Sequence, residues 1–195
     1  QLRVIAEIRA DLGATAPMRR LVQGDVGSGK TLVAVAALLQ AVEAGYQVAL
    51  MAPTEILARQ LHQRLEDWLQ NLGLRAGLLL GSCSAKERRP LLRALADGEL
   101  AIVCGTQALF QEGVDYARLG LVIIDEQHRF GVEQRRRLMA KGSMPHLLIL
   151  TATPIPRTLA MTLHADLDLS VIDSLPPGRQ PVATVVLPDT RRDEL

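Results

Sequence analysis

A chain of 195 residues that is 48% hydrophobic and 22% charged has the size of one domain and enough apolar residues for a sizeable core, which excludes a disordered segment. No apolar run reaches the roughly 18 residues that span a bilayer, and no basic-then-apolar signal segment opens the chain, so a soluble cytoplasmic protein with no membrane partner is expected. A net charge of +1 excludes a global electrostatic pull on nucleic acid, so any such contact must come from local clusters.

The chain begins at Gln1, without a methionine, already inside a helical pattern carried by Leu2, Ile5, Ile8 and Leu12. It ends at Leu195 with no helix stop signal and reads as a piece of a longer protein. Leu21 and Val22 look like the end of a buried strand, and residues 32–44 are an Ala-, Leu- and Val-rich run with helical spacing. Further on, short apolar runs at 48–52, 76–80, 101–104, 121–124, 147–150 and 170–172 alternate with helical segments. Such alternation predicts βαβ units, an α/β fold whose parallel sheet carries helices on both faces.

The helix expected after Pro53 presents Leu57, Leu61, Leu65, Trp68 and Leu72 at helical spacing, and Trp68 is read as core packing rather than as a base-stacking platform. Ser84-Ala85-Lys86-Glu87 has the form of a capping box, starting a helix that runs to about Asp97-Gly98 and that Pro90 should kink or delay. Cys83 and Cys104 lack metal-type spacing and read as two reduced thiols of an intracellular protein. Lys86, Arg88, Arg89 and Arg93 form one basic group and Arg135, Arg136 and Arg137 another; these fit either phosphate contacts or the codon usage of a GC-rich genome. Pro176-Pro177-Gly178-Arg179 is a linker candidate, followed at 182–187 by a possible strand leading out of the domain, so residues 1–175 are expected to be one domain and 176–195 a linker with the truncated start of a second.

Ligands of a parallel sheet sit at the carboxyl ends of its strands, and small, polar or acidic residues follow every expected strand, Gly81-Ser82 among them, so that edge reads as one functional face on which two ends carry motifs. The first is G-D-V-G-S-G-K-T, comprising Gly24, Asp25, Val26, Gly27, Ser28, Gly29, Lys30 and Thr31, which fits the phosphate-loop pattern between a strand and a helix. Gly27 and Gly29 let the backbone turn so that N–H groups and a helix N-terminus converge on a phosphate. Lys30 is placed to neutralise the β- and γ-phosphates and Thr31 to ligate Mg²⁺. The second end is Asp125-Glu126-Gln127-His128 after the run 121–124. Beside a phosphate loop, Asp125 suits the metal, directly or through water, and Glu126 suits the deprotonation of an attacking water.

With those motifs the sequence resembles the first RecA-like domain of superfamily-two DNA helicases. Within that group it is most similar to the RecG-type branch-migration helicases, through M-R-R-L-V-Q-G-D-V-G-S-G-K-T, M-A-P-T-E-I-L-A, D-E-Q-H-R-F-G-V-E-Q-R and T-A-T-P-I-P-R-T-L-A. Transcription-repair coupling factors share R-F-G-V but usually carry D-E-E-H. RNA helicases of the DEAD-box type would show D-E-A-D and S-A-T, and the R-F-G-V-E-Q-R extension is not the pattern of PriA-type helicases.

The resemblance implies a motor domain that uses ATP and Mg²⁺ on DNA. It implies that Gln1 reads adenine, that Pro53, Thr54, Glu55, Gly105 and Thr106 contact DNA phosphates, and that Thr151 and Thr153, about Ala152, couple nucleotide state to DNA together with Gln127 and His128. His128 also reads as a satisfied structural histidine, Gly105-Thr106 as an ordinary turn, and 129–137 as either a relay or a solvated basic helix. The arginine that completes hydrolysis would come from a second RecA-like domain, and branch specificity from a junction-reading domain of the same parent chain. Isolated residues 1–195 are therefore expected to be folded but nearly inactive. The alternatives are the motor of a transcription-repair coupling factor and a nucleotide-binding module without turnover.

Overall fold

The computed structural model describes residues 1–125, 140–142, 144–153 and 167–173. Glu126, Gln127 and His128, the segment 129–137, the linker at 176–179 and the possible strand at 182–187 lie outside the described residues, as does the expected boundary at 175.

Helix α1 (Leu2–Leu12) leads into strand β1 (Arg19–Gly24), helix α2 (Lys30–Glu43) and strand β2 (Gln47–Met51). Helix α3 (Glu55–Leu69), β3 (Ala76–Leu79), α4 (Ala85–Ala96), β4 (Ile102–Gly105) and β5 (Leu119–Asp125) follow, then β6 (His146–Thr151) and β7 (Asp168–Ile172). The strands form one sheet in the order β3-β4-β2-β5-β6-β1-β7, with every neighbouring pair parallel. Each apolar run expected to be a strand is one.

Both faces of the sheet are covered, which is why its strands read as continuous apolar runs rather than alternating ones. Val48 and Leu50 of β2, Leu121 and Ile123 of β5, and Leu148 and Leu150 of β6 share one core with Val4 and Ile8 of α1, Val33 and Leu38 of α2, and Leu65 and Leu69 of α3. The intervening Ala49, Met51, Val122, Ile124, Leu147 and Ile149 share the other with Leu95 of α4 and with Leu109 and Val114. The period of two along each strand thus splits one apolar run between two cores.

Two polar arrangements, one buried and one half-buried, fasten elements that apolar contacts alone would leave free to slide. Gln47, 3% exposed, sends Nε2 to the carbonyls of Leu95 (2.8 Å) and Leu100 (2.9 Å) and accepts at Oε1 from Arg118 N–H (2.8 Å). One side chain so joins the end of α4 to the entries of β4 and β5, with its donors and acceptor satisfied as burial requires. Arg20 of β1 bonds Asp11 Oδ2 (2.6 Å) and Ser170 Oγ (2.8 Å), and Ser170 in turn bonds Glu7, pinning α1 across β1 and β7. The Ser170 hydroxyl, with Arg3 and Arg20 nearby, holds the Glu7 carboxyl below the usual carboxylate range.

Two expectations are corrected. Trp68 is 42% exposed, and Leu57 and Leu72 are exposed too, because α3 turns Ala58, Leu65 and Leu69 toward the sheet. That buried row is rotated from the stripe the larger side chains suggested, since the small Ala58 lets the helix lie close. Pro90 does not delay α4: the helix starts at Ala85 behind a complete Ser84–Glu87 capping box, and Pro90 lies within it on the exposed face. Having no N–H, Pro90 leaves the carbonyl of Lys86 without a helical donor.

His146, at the start of β6, accepts Met18 N–H at Nδ1 (2.9 Å), which requires that nitrogen unprotonated. Burial lowers its pKa below the ordinary 6.5, against a smaller opposing pull from Asp11. The unfolded chain therefore takes up this proton first as the pH drops. The stability that His146 contributes is present above about pH 6.5 and is lost as the pH falls through the lower folded-state value. Urea midpoints between pH 7.5 and 5.5 should fall in the wild type and fall less in His146→Asn; equal slopes would remove His146 as the cause.

Candidate nucleotide site at the carboxyl edge of the sheet

Strand β1 ends at Gly24, and the eight-residue loop motif runs from there into the first turn of α2. Gly27 (φ 80°) and Gly29 (φ 89°) both take the left-handed backbone that side chains disfavour, so the loop wraps round a concavity at the head of α2. Gly29 is the N-cap of that helix and gives it no side-chain capping bond, whereas Thr54 caps α3 and Ser84 caps α4. An uncapped helix N-terminus inside a glycine loop suits an anion, because its N–H groups and the helix dipole point outward together.

Lys30 is folded back into the loop. Its Nζ donates to the carbonyls of Gly24 (2.8 Å) and Asp25 (2.9 Å), holding the ammonium at the mouth of the concavity. Asp25 Oδ1 accepts from Val26 N–H (2.8 Å), and Ser28 N–H donates to Asp25 O (3.1 Å), so the loop is closed by its own short bonds. Gln1 reaches the same loop: its Nε2 donates to Ser28 O (2.8 Å), and its side chain occupies the space that a Cβ on Gly29 would need. The residue expected to read adenine is thus tied to the backbone of the phosphate loop.

Asp125 closes β5, which is separated from β1 only by β6. Two strand spacings, about 10 Å, place its carboxylate end on the same edge as Gly24. Thr151 ends the intervening β6, opposite Gln23 in register, and is 2% exposed. Its hydroxyl meets that of Thr153 (2.8 Å) and accepts Thr153 N–H (3.2 Å), a turn that folds residues 151–153 over the strand end. Among the described residues no group of three or more His, Cys, Asp or Glu side chains is placed to hold a metal ion. A Mg²⁺ bound through Thr31, Asp125 and substrate phosphates does not need one.

The other half of the edge, formed by β3, β4 and β2, gathers the remaining expected site residues. Thr54 Oγ1 accepts Leu57 N–H (3.3 Å). Glu55 accepts both Ser82 N–H (3.0 Å) and Ser82 O–H (2.6 Å), and the Ser82 donors hold its carboxyl below the usual range. The Pro53-Thr54-Glu55 turn is thereby joined to the loop after β3. Gly105, last in β4, lies between Met51 and Leu79, and Thr106 N–H reaches Leu79 O (3.4 Å). From sequence, Ser82 falls on this edge by its position after an apolar run, and Ser28 belongs to the phosphate loop; the bond of Ser82 to Glu55 has no sequence signal.

The DEAD/DEAH box helicase model matches residues 1–162. The chain belongs to that family. This helicase-family chain is 71% identical over 195 residues to the ATP-dependent DNA helicase RecG of Acidithiobacillus ferridurans, covering 100% of the chain and 28% of the relative. To the ATP-dependent DNA helicase RecG of Escherichia coli strain K12 it is 57% identical over 199 residues, covering 100% of the chain and 29% of the relative. Among solved structures, RecG bound to a three-way DNA junction matches with a TM-score of 0.84 and 45% identity, covering 99% of this chain and 26% of that one. The resemblance to RecG-type helicases therefore runs the length of the chain, which spans under a third of those relatives. Among the described residues no helix is long and apolar enough to cross a membrane.

Proposed function

We propose that the chain is the ATP-binding motor domain of an ATP-dependent DNA helicase that remodels branched DNA in recombination and repair. The observation that carries this reading is the shared edge: a phosphate loop at the end of β1 and Asp125 at the end of β5, with one strand between them. ATP is the substrate, held by 24–31, with Lys30 on its phosphates and Gln1 on its base. Mg²⁺, when bound through Thr31 and Asp125, supplies positive charge to the transferring phosphoryl group. Glu126 takes the proton of the attacking water.

Thr151, at the end of β6 between the phosphate loop and Asp125, and Thr153 just beyond it relay nucleotide state together with Gln127 and His128. DNA lies on the β3-β4-β2 half, against Pro53, Thr54, Gly105 and Thr106, as sequence-independent backbone contacts suit a motor. Glu55 acts there through Ser82, since a carboxylate held by two donors places the loop and does not itself attract phosphate. The likeness to RecG proteins and to the junction complex supports branched DNA as the substrate, a second RecA-like domain and a junction-reading domain as partners in the parent chain, and the cytoplasm as the place of action. Residues 1–175 form the motor unit and 176–195 the connection to its partner.

Lys30→Ala tests the site. Losing a charge-assisted phosphate contact worth about 1.5–3 kcal/mol should weaken a fluorescent ATP analogue roughly 10- to 150-fold. Equal affinity for wild type and variant would place the nucleotide elsewhere.

A further inference from the structure

Gln1 meets the phosphate loop at the head of α1, so whatever fixes the height of that helix along the sheet also places the Gln1 amide. Val4 and Ile8 hold the helix down by burial, which has no direction. The directional bonds come from Arg3, Glu7 and Asp11, a stripe of residues four apart on the same helix. Arg3 Nη2 donates to the carbonyl of Val171 (2.7 Å) and its Nη1 to Glu7 Oε1 (2.7 Å). Glu7 Oε2 accepts the Ser170 hydroxyl and faces Arg20 Nη1 at 3.5 Å, while Asp11 Oδ2 accepts Arg20 Nε–H (2.6 Å). Three successive turns of α1 are therefore fastened to β7 and β1, and Arg3, in the first of them, stands two residues from Gln1. A slip of about 1.5 Å, the rise of one helical residue, would break the 2.8 Å bond from Gln1 Nε2 to Ser28 O.

That bond uses one of the two amide N–H groups of Gln1. The other N–H and Oε1 stand side by side as donor and acceptor, which matches N7 and the 6-amino group of adenine and mismatches guanine, whose N7 and O6 both accept. Sliding or turning the amide loses the match, so discrimination at Gln1 is only as sharp as the placement of α1. We infer that Arg3 and Glu7 are positioning residues for nucleotide specificity: by fixing α1 against β7 they hold Gln1 where it selects adenine over guanine. They act through Gln1, and the inference rests on the reading of Gln1 given above.

Affinities of the full-length parent for MgADP, MgGDP and magnesium pyrophosphate, measured by calorimetry, test this. Gln1→Ala should lower the ratio of ADP to GDP affinity about tenfold, the order expected for two neutral hydrogen bonds. Glu7→Ala should lower it about three- to fivefold and leave pyrophosphate, which has no base, within about twofold of wild type. In a Gln1→Ala background Glu7→Ala should change the ratio no further, since its effect runs through Gln1. Glu7→Gln, whose amide oxygen still accepts the Ser170 hydroxyl, should keep most of the preference. Arg3→Met, at a side chain 57% exposed, keeps the hydrocarbon stem and should shift the ratio the same way as Glu7→Ala, even if the latter fails to fold. An equal loss for ADP, GDP and pyrophosphate would mean a general loosening of the fold and would overturn the inference. So would a wild-type ratio in both Glu7→Ala and Arg3→Met. If Gln1→Ala itself keeps the wild-type ratio, Gln1 does not read adenine and the inference falls with that reading.

Discussion

Glu126→Gln in the full-length parent is expected to bind ATP as the wild type does and to lose turnover by about 10²–10⁴-fold, the usual worth of a positioned general base. The amide keeps the size of the carboxylate and can still hydrogen-bond a water, but it cannot accept the water's proton. Binding and hydrolysis should therefore part company, unlike in Lys30→Ala, where affinity falls as well. The reason to place the base at 126 is its place in the sequence: Asp125 is the last residue of β5, on the phosphate-loop edge, and Glu126 is its immediate neighbour in the chain. Single-turnover ATP hydrolysis on forked DNA measures the effect. Turnover within about threefold of wild type, well inside the range a lost base would cause, would take Glu126 out of the role.

Gly105→Ala should cost about 3 kcal/mol of folding stability, a change of more than a hundredfold in the folding equilibrium and a large share of a typical domain's margin. A Cβ at that position would run into the carbonyl oxygen of Leu79 on β3, a backbone atom that cannot swing aside, and would also press on Leu109. To make room, β3 and β4 would have to separate where Thr106 N–H bonds Leu79 O, while Gly105 O on the other side is held by Ala52 N–H after β2. Gly113→Ala is the contrast, because nothing lies within 4 Å of its Cβ and only its φ of 78° resists the change. It should lose about 1 kcal/mol. Urea denaturation of the two variants gives the comparison, and equal losses would show that the β3–β4 gap at Gly105 is not tight. A weakening here would also move Thr106 and the Glu55–Ser82 pair, so part of any DNA-binding defect in Gly105 variants would be a folding defect.

Much of this protein was determined locally, and the sequence alone was enough to see it. The phosphate loop is legible because a short segment must itself supply both the positive-φ glycines and the lysine, and Gly27, Gly29 and Lys30 do so within four residues. The parallel sheet is legible because strands covered on both faces must be apolar throughout, and these runs alternate with helical segments long enough to cross over between parallel strands. The Ser84–Glu87 capping box is legible for the same reason, since both its partners lie within one helical turn.

What only the tertiary structure decided depends on residues far apart in the chain. The strand order put β6 between β1 and β5, so that these three strand ends make the nucleotide half of the edge and β3, β4 and β2 the second half. Gln1 meets Ser28 across 27 residues, Glu55 meets Ser82 across another 27, and Gln47 joins residues up to 71 positions away. The apolar stripe of α3 suggested a buried Trp68, yet the face a helix buries is chosen by which side lets it approach the sheet, and Ala58 decided that.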